Sequence, residues 1–249
     1  MTPALEVKGL CRSFGALIVA DHIDFQLERG ARHALIGPNG AGKSTFVNLL
    51  AGRLRPDAGR ILLDGQDITR LSAAHRVKRG IGRTFQTNTL FRHLAVLDNV
   101  ALAIAERMGV SGQLFRAASA HQEVIEEARA LLTMLNLMAL EKTVVRDLPY
   151  GQQRLVEIAI ALGLRPRVLI LDEPAAGVPS HESYLIFDAI SQMPADIAIL
   201  FIEHDMDLVF RFARRITVLA SGAILMEGTP KEVESDRKVR EIYLGESRG

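Results

Sequence analysis

The sequence predicts an α/β fold: a parallel sheet preceded by antiparallel hairpins and interrupted by a helical insert. Three observations carry this expectation. Residues 5–7 and 61–63 lie in short alternating or β-branched stretches, and Asp64-Gly65 reads as a hairpin turn. From about Leu94 to Leu140 the apolar residues adopt a helical period, with Val124, Ala128, Leu131 and Leu135 recurring at spacings of four, three and four. Beyond the insert, "RVLILDEP", "AIAILFIEHD" and "RRITVLASG" alternate with helical stretches, the rhythm of buried parallel strands.

The 249 residues suit one compact unit, or a core with a small appended lobe. Lys and Arg number 30 against 29 Asp and Glu, so the net charge of +1 supplies no field for holding a polyanion. The basic stretches "HRVKRG" and "RFARR" read as solvated faces, and no nucleic-acid partner is expected. The single cysteine, Cys11, excludes an internal disulfide and reads as a small residue near a strand. The seven histidines show no ligand-like spacing, so no bound transition metal is expected. "MTPALEVKGL" has neither a charged n-region nor a long apolar h-region, and the apolar runs fall far short of the roughly 20 residues that span a bilayer. The expectation is a soluble, cytosolic chain.

The strongest chemistry lies in "GPNGAGKST", comprising Gly37, Pro38, Asn39, Gly40, Ala41, Gly42, Lys43, Ser44 and Thr45, which matches G-x-x-x-x-G-K-[ST]. "HALI" reads as the strand entering this P-loop and "STFVNLLAG" as the helix leaving it. Glycines let backbone N–H groups turn around a phosphate, and the helix N-terminus adds its positive end. Lys43 would reach the β- and γ-phosphates, and Ser44 would ligate Mg²⁺.

Many nucleotide machines share a P-loop, so a second element decides among them. "VLILDEP" is a buried strand ending in adjacent carboxylates, placing Asp172 near the Mg²⁺ shell and Glu173 near an attacking water. With the P-loop, "LILDEP" and "LPYGQQR" in this order, the sequence resembles the nucleotide-binding subunits of ATP-binding-cassette (ABC) transporters over almost its whole length.

The resemblance implies a P-loop NTPase (RecA-like) core with an antiparallel β subdomain, in residues 1–93 and 165–249, and an ABC-specific helical lobe over about 94–164. It implies ATP and Mg²⁺ as ligands. "LPYGQQR" occupies the signature position, whose Gly151 would face the γ-phosphate held by a second subunit. Phe14 matches the aromatic that stacks on adenine, although an ordinary hydrophobic anchor is its other reading. Gln86 matches the glutamine linking the Mg²⁺ site to the membrane partner, and His204 the histidine that contacts the γ-phosphate. The following segment, "TNTLFRHLAVLDNV", is either the relay to that partner or core of the lobe.

Two prolines depart from the pattern. Pro149 stands where the family usually has serine, and Pro179 where it usually has Asp or Asn. Each removes a polar side chain and an N–H. "GRTFQ", "PAAG", "IEHDMDLVF" and the terminal "YLG" resemble the ATPases of branched-chain amino acid importers. Those pair two different ATPase subunits, on the inner face of the cell membrane, with two different transmembrane permeases and a periplasmic or extracellular solute-binding protein. The expectation is therefore a heterodimer with one nearly normal and one weakened site. Alternatives are a lipopolysaccharide-export-type ATPase and a weakly hydrolysing regulatory subunit.

Overall fold

The computed structural model describes residues 2–84, 90–110 and 118–243. Along the chain lie β1 (Leu5–Phe14), β2 (Leu17–Leu27), β3 (Arg32–Ile36), α1 (Lys43–Leu50), β4 (Ala58–Leu63), β5 (Gln66–Asp67), α2 (Ala73–Arg79) and β6 (Ile81–Arg83). Then follow α3 (Val96–Met108), α4 (Ala118–Met134), α5 (Tyr150–Gly163), β7 (Val168–Asp172), α6 (Ser180–Ser191), β8 (Ala198–Ile202), α7 (Met206–Phe212), β9 (Arg215–Ala220), β10 (Ala223–Gly228), α8 (Pro230–Ser235) and α9 (Arg237–Tyr243). These elements form two compact units, Met1–Arg76 with Ala195–Gly249, and Val77–Pro194.

In the first unit an antiparallel sheet runs in the order β2-β1-β4-β5, with Leu5 opposite both Leu27 and Leu63. The Asp64-Gly65 turn joins β4 to β5 as expected, with φ of 49° and 79° at its two residues. Two positive φ values match the right-handed twist of the flanking strands. In the unit's second sheet β3 lies parallel to both β8 and β9, and β10 returns antiparallel along β9. Every residue of β3 and β8 is buried, the continuous pattern of strands covered on both faces. The helix α1 is held by an edge-to-face contact of Phe46 with Phe25 of β2 at 5.5 Å, and Phe25 meets His33 of β3 at 5.1 Å.

The far end of α1 is closed by Arg76, the largest fully buried side chain among the described residues. Its guanidinium donates to the Leu49 and Leu50 carbonyls at 2.6 and 2.8 Å, to Thr69 at 2.8 Å and to Leu71 at 3.2 Å. A cation thus satisfies the carbonyls at the negative end of the helix. Burial lowers its pKa to about 10, which leaves it charged at neutral pH.

In the second unit β6 and β7 pair in parallel, with Ile81 opposite Val168. The helical insert materialises as α3, α4 and α5, which pack around Val100, Ile104, Val124, Leu135 and Val156. One expected position shifts. Along α4 and the turn that follows it, the fully buried apolar stripe is Val124, Ala128, Leu132 and Leu135, while Leu131 is half-buried at the edge. With 3.6 residues per turn, steps of four and four followed by three keep the stripe on one face, and the apolar pair Leu131-Leu132 left this choice to the packing. Among the described residues, no helix is long and apolar enough to cross a membrane.

Candidate functional site

In the first unit, the loop Gly37–Gly42 joins the buried end of β3 to α1. A Cβ on Gly42 would stand 2.5 Å from the Val19 carbonyl oxygen, and one on Gly37 2.2 Å from that of Leu219. Both obstacles are backbone atoms that cannot swing aside, and Gly42 also has φ of 102°, so only glycine fits. Gly42 is the N-cap of α1 and contributes no side-chain cap. The first amides of α1 therefore point out with their positive end, an arrangement suited to an anion. Lys43 is buried and curls around the loop, its Nζ donating to the carbonyls of Gly37 at 2.5 Å and Pro38 at 3.0 Å. Ser44, Asn39 and Gly40 are exposed, Pro38 and Thr45 half-buried, and Ala41 is buried.

The same unit carries Phe14 and His204. Phe14 ends β1, is 46% exposed, and lies under the Arg12 guanidinium at 4.8 Å. Leu17 and Ile18 are exposed beside it in sequence, an unusual density of apolar surface for a hairpin tip. His204 is exposed between β8 and α7, and its amide donates to the Glu203 carboxylate at 3.2 Å. Asp205 then caps α7 by accepting from the amides of Asp207 and Leu208.

In the second unit β7 is buried throughout and ends on Asp172, whose carboxylate accepts from Arg83 at 2.6 Å. Glu173 follows with φ of 49°, a left-handed backbone that a glutamate rarely adopts. Such strain persists where the surrounding fold imposes it and clusters at working sites. Gln86 lies outside the described residues.

The signature run opens α5, with Pro149 at the N-cap (φ −52°, ψ 151°). Proline therefore leaves the helix intact: its carbonyl still accepts the Gln153 amide at 3.1 Å, and only a side-chain cap is given up. Pro179 is the N-cap of α6 in the same extended conformation, its carbonyl accepting from the amides of Glu182 and Ser183. Gly151 is buried, and a Cβ there would stand 2.7 Å from the Glu182 Oε2. The α5 entry is braced further along. Gln153 Nε2 donates to the Leu148 carbonyl at 2.9 Å, and Arg154 sits over the Tyr150 ring at 4.9 Å. Arg154 also pairs with Glu157 at 2.8 Å; burial raises the Glu157 pKa against the pull of that arginine.

The motif residues thus fall into two groups. Phe14, Gly37–Thr45 and His204 belong to the first unit, and Asp172, Glu173 and Gly151 to the second. Sequence reasoning passed over Arg83 and Tyr150. Arg83, within "GRTFQ", lies three residues before the candidate Gln86, and that proximity is its available signal.

Comparison with known proteins decides the family. A model described as ABC transporter matches residues 20–176, and one described as branched-chain amino acid ATP-binding cassette transporter matches residues 223–248. The chain belongs to the ABC transporter family. This cassette is 36% identical to the high-affinity branched-chain amino acid transport ATP-binding protein BraF of Pseudomonas aeruginosa, over 98% of its own length and 99% of the relative's. It is 35% identical, over the same shares, to LivG of Escherichia coli K12, which carries the same description. Its fold superposes on the ADP conformation of MJ1267, an ATP-binding cassette of an ABC transporter, with a TM-score of 0.86 and 34% identity, covering 99% of this chain and 100% of that one. The expected α/β P-loop NTPase fold is therefore borne out, and the cassette is an ABC-type ATPase.

From Leu90 to Val100 the apolar residues differ in burial. Leu90, Val96 and Val100 are core, whereas Phe91 and Leu94 are 59% and 37% exposed. Asn99 fixes the turn, accepting from the Phe91 amide at 2.8 Å and donating to the Phe91 and Ala95 carbonyls.

Proposed function

We propose that this cassette powers uptake of branched-chain amino acids, or a related small solute, as one of two ATPase subunits of an importer. The observation that carries the nucleotide chemistry is the curled Lys43 beside the uncapped N-terminus of α1, a cradle of positive potential that a triphosphate fits. The importer class rests on the family match at 223–248 and on the relatives' full-length similarity.

In this reading Phe14 stacks on adenine, and Gly37, Pro38, Asn39, Gly40, Ala41, Gly42 and Thr45 wrap the phosphates with Lys43. Ser44, Gln86 and Asp172 hold Mg²⁺, since hydroxyl, amide and carboxylate oxygens are the hard donors that ion prefers. When bound, Mg²⁺ neutralises charge on the transferring phosphoryl group. Glu173 accepts a hydrogen bond from the attacking water and aims it, while Lys43 and His204 stabilise charge as it develops. Gly151 and the α5 N-terminus close on the nucleotide of a second ATPase subunit. Residues 94–164 act as the helical lobe, and Phe91 and Leu94 present apolar contacts to one of two transmembrane permeases at the cytoplasmic face. An extracytoplasmic solute-binding protein supplies the cargo.

Pro149 and Pro179 both face the partner's site in this arrangement, which favours a heterodimer with one strong and one weak site. The test is Mg²⁺-dependent ATP hydrolysis by the purified cassette, alone and reconstituted with its complex, with Glu173→Gln as control. Loss of turnover with retained ATP binding in Glu173→Gln supports the assignment. Unchanged turnover in that variant would remove Glu173 from the mechanism, and equal hydrolysis at both sites of the authentic pair would remove the mixed-activity dimer.

A further inference from the structure

On the first antiparallel sheet the register slips: Leu10 pairs with Ile23, whereas Arg12 pairs with Ala20. Cys11 alone therefore stands opposite two residues, Asp21 and His22, in a β-bulge. His22 takes the left-handed backbone, with φ of 45°. This arrangement gathers Cys11 Sγ, an Asp21 carboxylate oxygen and a His22 ring nitrogen within 4.8 Å of one another. We propose that the bulge is a binding site for a borderline-soft divalent cation of the Zn²⁺ class, ligated by Cys11, Asp21 and His22.

The donor spacing suits the ion. Bonds of about 2.0–2.3 Å in a tetrahedral shell place donor atoms about 3.5 Å apart, which small side-chain rotations reach from the present positions. His22 Nδ1 and Asp21 Oδ1 already face each other at 2.6 Å, and the Cys11 thiol makes a long contact of 3.6 Å to the Gly9 carbonyl. On binding, the thiol gives its proton to solvent and the sulfur bonds the ion as thiolate, while His22 ligates as neutral imidazole. One thiolate and one carboxylate then balance the two positive charges, and a water completes the tetrahedron.

Sulfur and imidazole donors select Zn²⁺ or Co²⁺ over Mg²⁺, so this site stands apart from the nucleotide's metal. The neighbouring cation does not oppose it, because Arg12 is engaged with Asp57 at 2.6 Å. Asp21 and His22 are exposed and Cys11 half-buried, which leaves the ion an entry path. Among the described residues no other group of three such side chains converges. Histidine spacing along the sequence could not reveal the site, since its ligands meet only across the bulge. The ion would staple β1 to β2 just past Val19, whose carbonyl packs on Gly42, and beside the Asp21 amide that donates to Gly222.

The test is titration of the reduced full-length cassette with Co²⁺ in excess Mg²⁺, followed by Zn²⁺ competition and thermal melting. The expected result is one equivalent bound with a thiolate-to-cobalt absorption band, displaced by Zn²⁺, and a melting temperature raised by Zn²⁺. Cys11→Ser should abolish the band and the thermal shift. Asp21→Asn and His22→Asn should each weaken binding by about tenfold or more, asparagine being tolerated at the positive φ. Metal-free melting curves of all three variants should overlay the parent, showing that they fold. No thiolate band at one equivalent, or affinity unchanged by any one of these substitutions, overturns the proposal.

Discussion

Arg83 and Asp172 stand 89 positions apart in sequence yet form an ion pair of 2.6 Å with side chains 10% and 4% exposed. Removing one partner of a buried pair leaves the other charge without compensation, which costs about 3–5 kcal/mol. Arg83→Met should therefore lower unfolding free energy by that order in urea denaturation, and the double variant Arg83→Met/Asp172→Leu should recover much of the loss. A single variant within 1 kcal/mol of the parent would show that the pair is solvated and of little weight.

The N-cap at position 149 carries no side-chain acceptor. A serine there can cap α5, which is worth about 0.5–2 kcal/mol. In the proposed dimer it would also restore a donor towards the partner's phosphate, worth about 1.5–3 kcal/mol when the acceptor is charged. Pro149→Ser should raise the melting temperature and increase turnover of the self-paired cassette several-fold. A stability gain with unaltered turnover would mean that the α5 amides suffice without the hydroxyl.

Gly42→Ala and Gly151→Ala should behave oppositely. At 42 the new methyl meets the Val19 carbonyl at 2.5 Å on a strained backbone, so stability should fall by about 1–3 kcal/mol, with ATP binding lost. At 151 the obstacle is the mobile end of Glu182 and alanine favours a helix, so melting should hardly change while ATP hydrolysis drops. Calorimetry beside an ATPase assay separates the two. A parent-like turnover in Gly151→Ala would argue against close approach of phosphate to this turn.

His33 is buried at 1% exposure and contacts the Thr217 hydroxyl at 2.7 Å. That hydroxyl donates to Glu227 at 2.8 Å, so the imidazole must donate through its Nε2–H. Burial lowers its pKa to about 4 from the usual 6.5. Below 6.5 the unfolded chain binds the proton first, so stability conferred by neutral His33 is complete above that pH and is lost as pH falls towards 4. Unfolding free energy should drop by a few kcal/mol across this window. His33→Gln should flatten the dependence, and an equally steep profile in that variant would assign it to other groups.

Phe91 and Leu94 are exposed while their neighbours Leu90 and Val96 are core. Phe91→Ala/Leu94→Ala should leave melting and basal ATP hydrolysis unaltered, yet reduce solute uptake by the reconstituted complex. Full uptake by the variant would place the permease contact elsewhere.

What the sequence made legible was local. The P-loop, the buried strands and the Asp64-Gly65 turn each depend on contiguous residues whose types dictate backbone geometry or burial. The shift from Leu131 to Leu132 shows where such reading stops, because two adjacent leucines satisfy the same period and only packing chooses. Arg76, a basic residue in the charged run "HRVKRG", became the largest fully buried side chain among the described residues because four carbonyls converge on it. No property of that run distinguishes it from its solvated neighbours. Arg83 with Asp172, and Cys11 with Asp21 and His22, likewise depend on tertiary register.

Glu173 also bears on how this cassette should be handled in the laboratory. Its φ of 49° suits glycine better than any residue with a side chain. Glu173→Gly would relieve about 1–2 kcal/mol of backbone strain. A directed-evolution campaign that rewarded only expression yield or heat resistance would thus be drawn to this position. It would enrich well-behaved chains that had discarded the carboxylate to which the proposed mechanism assigns the attacking water.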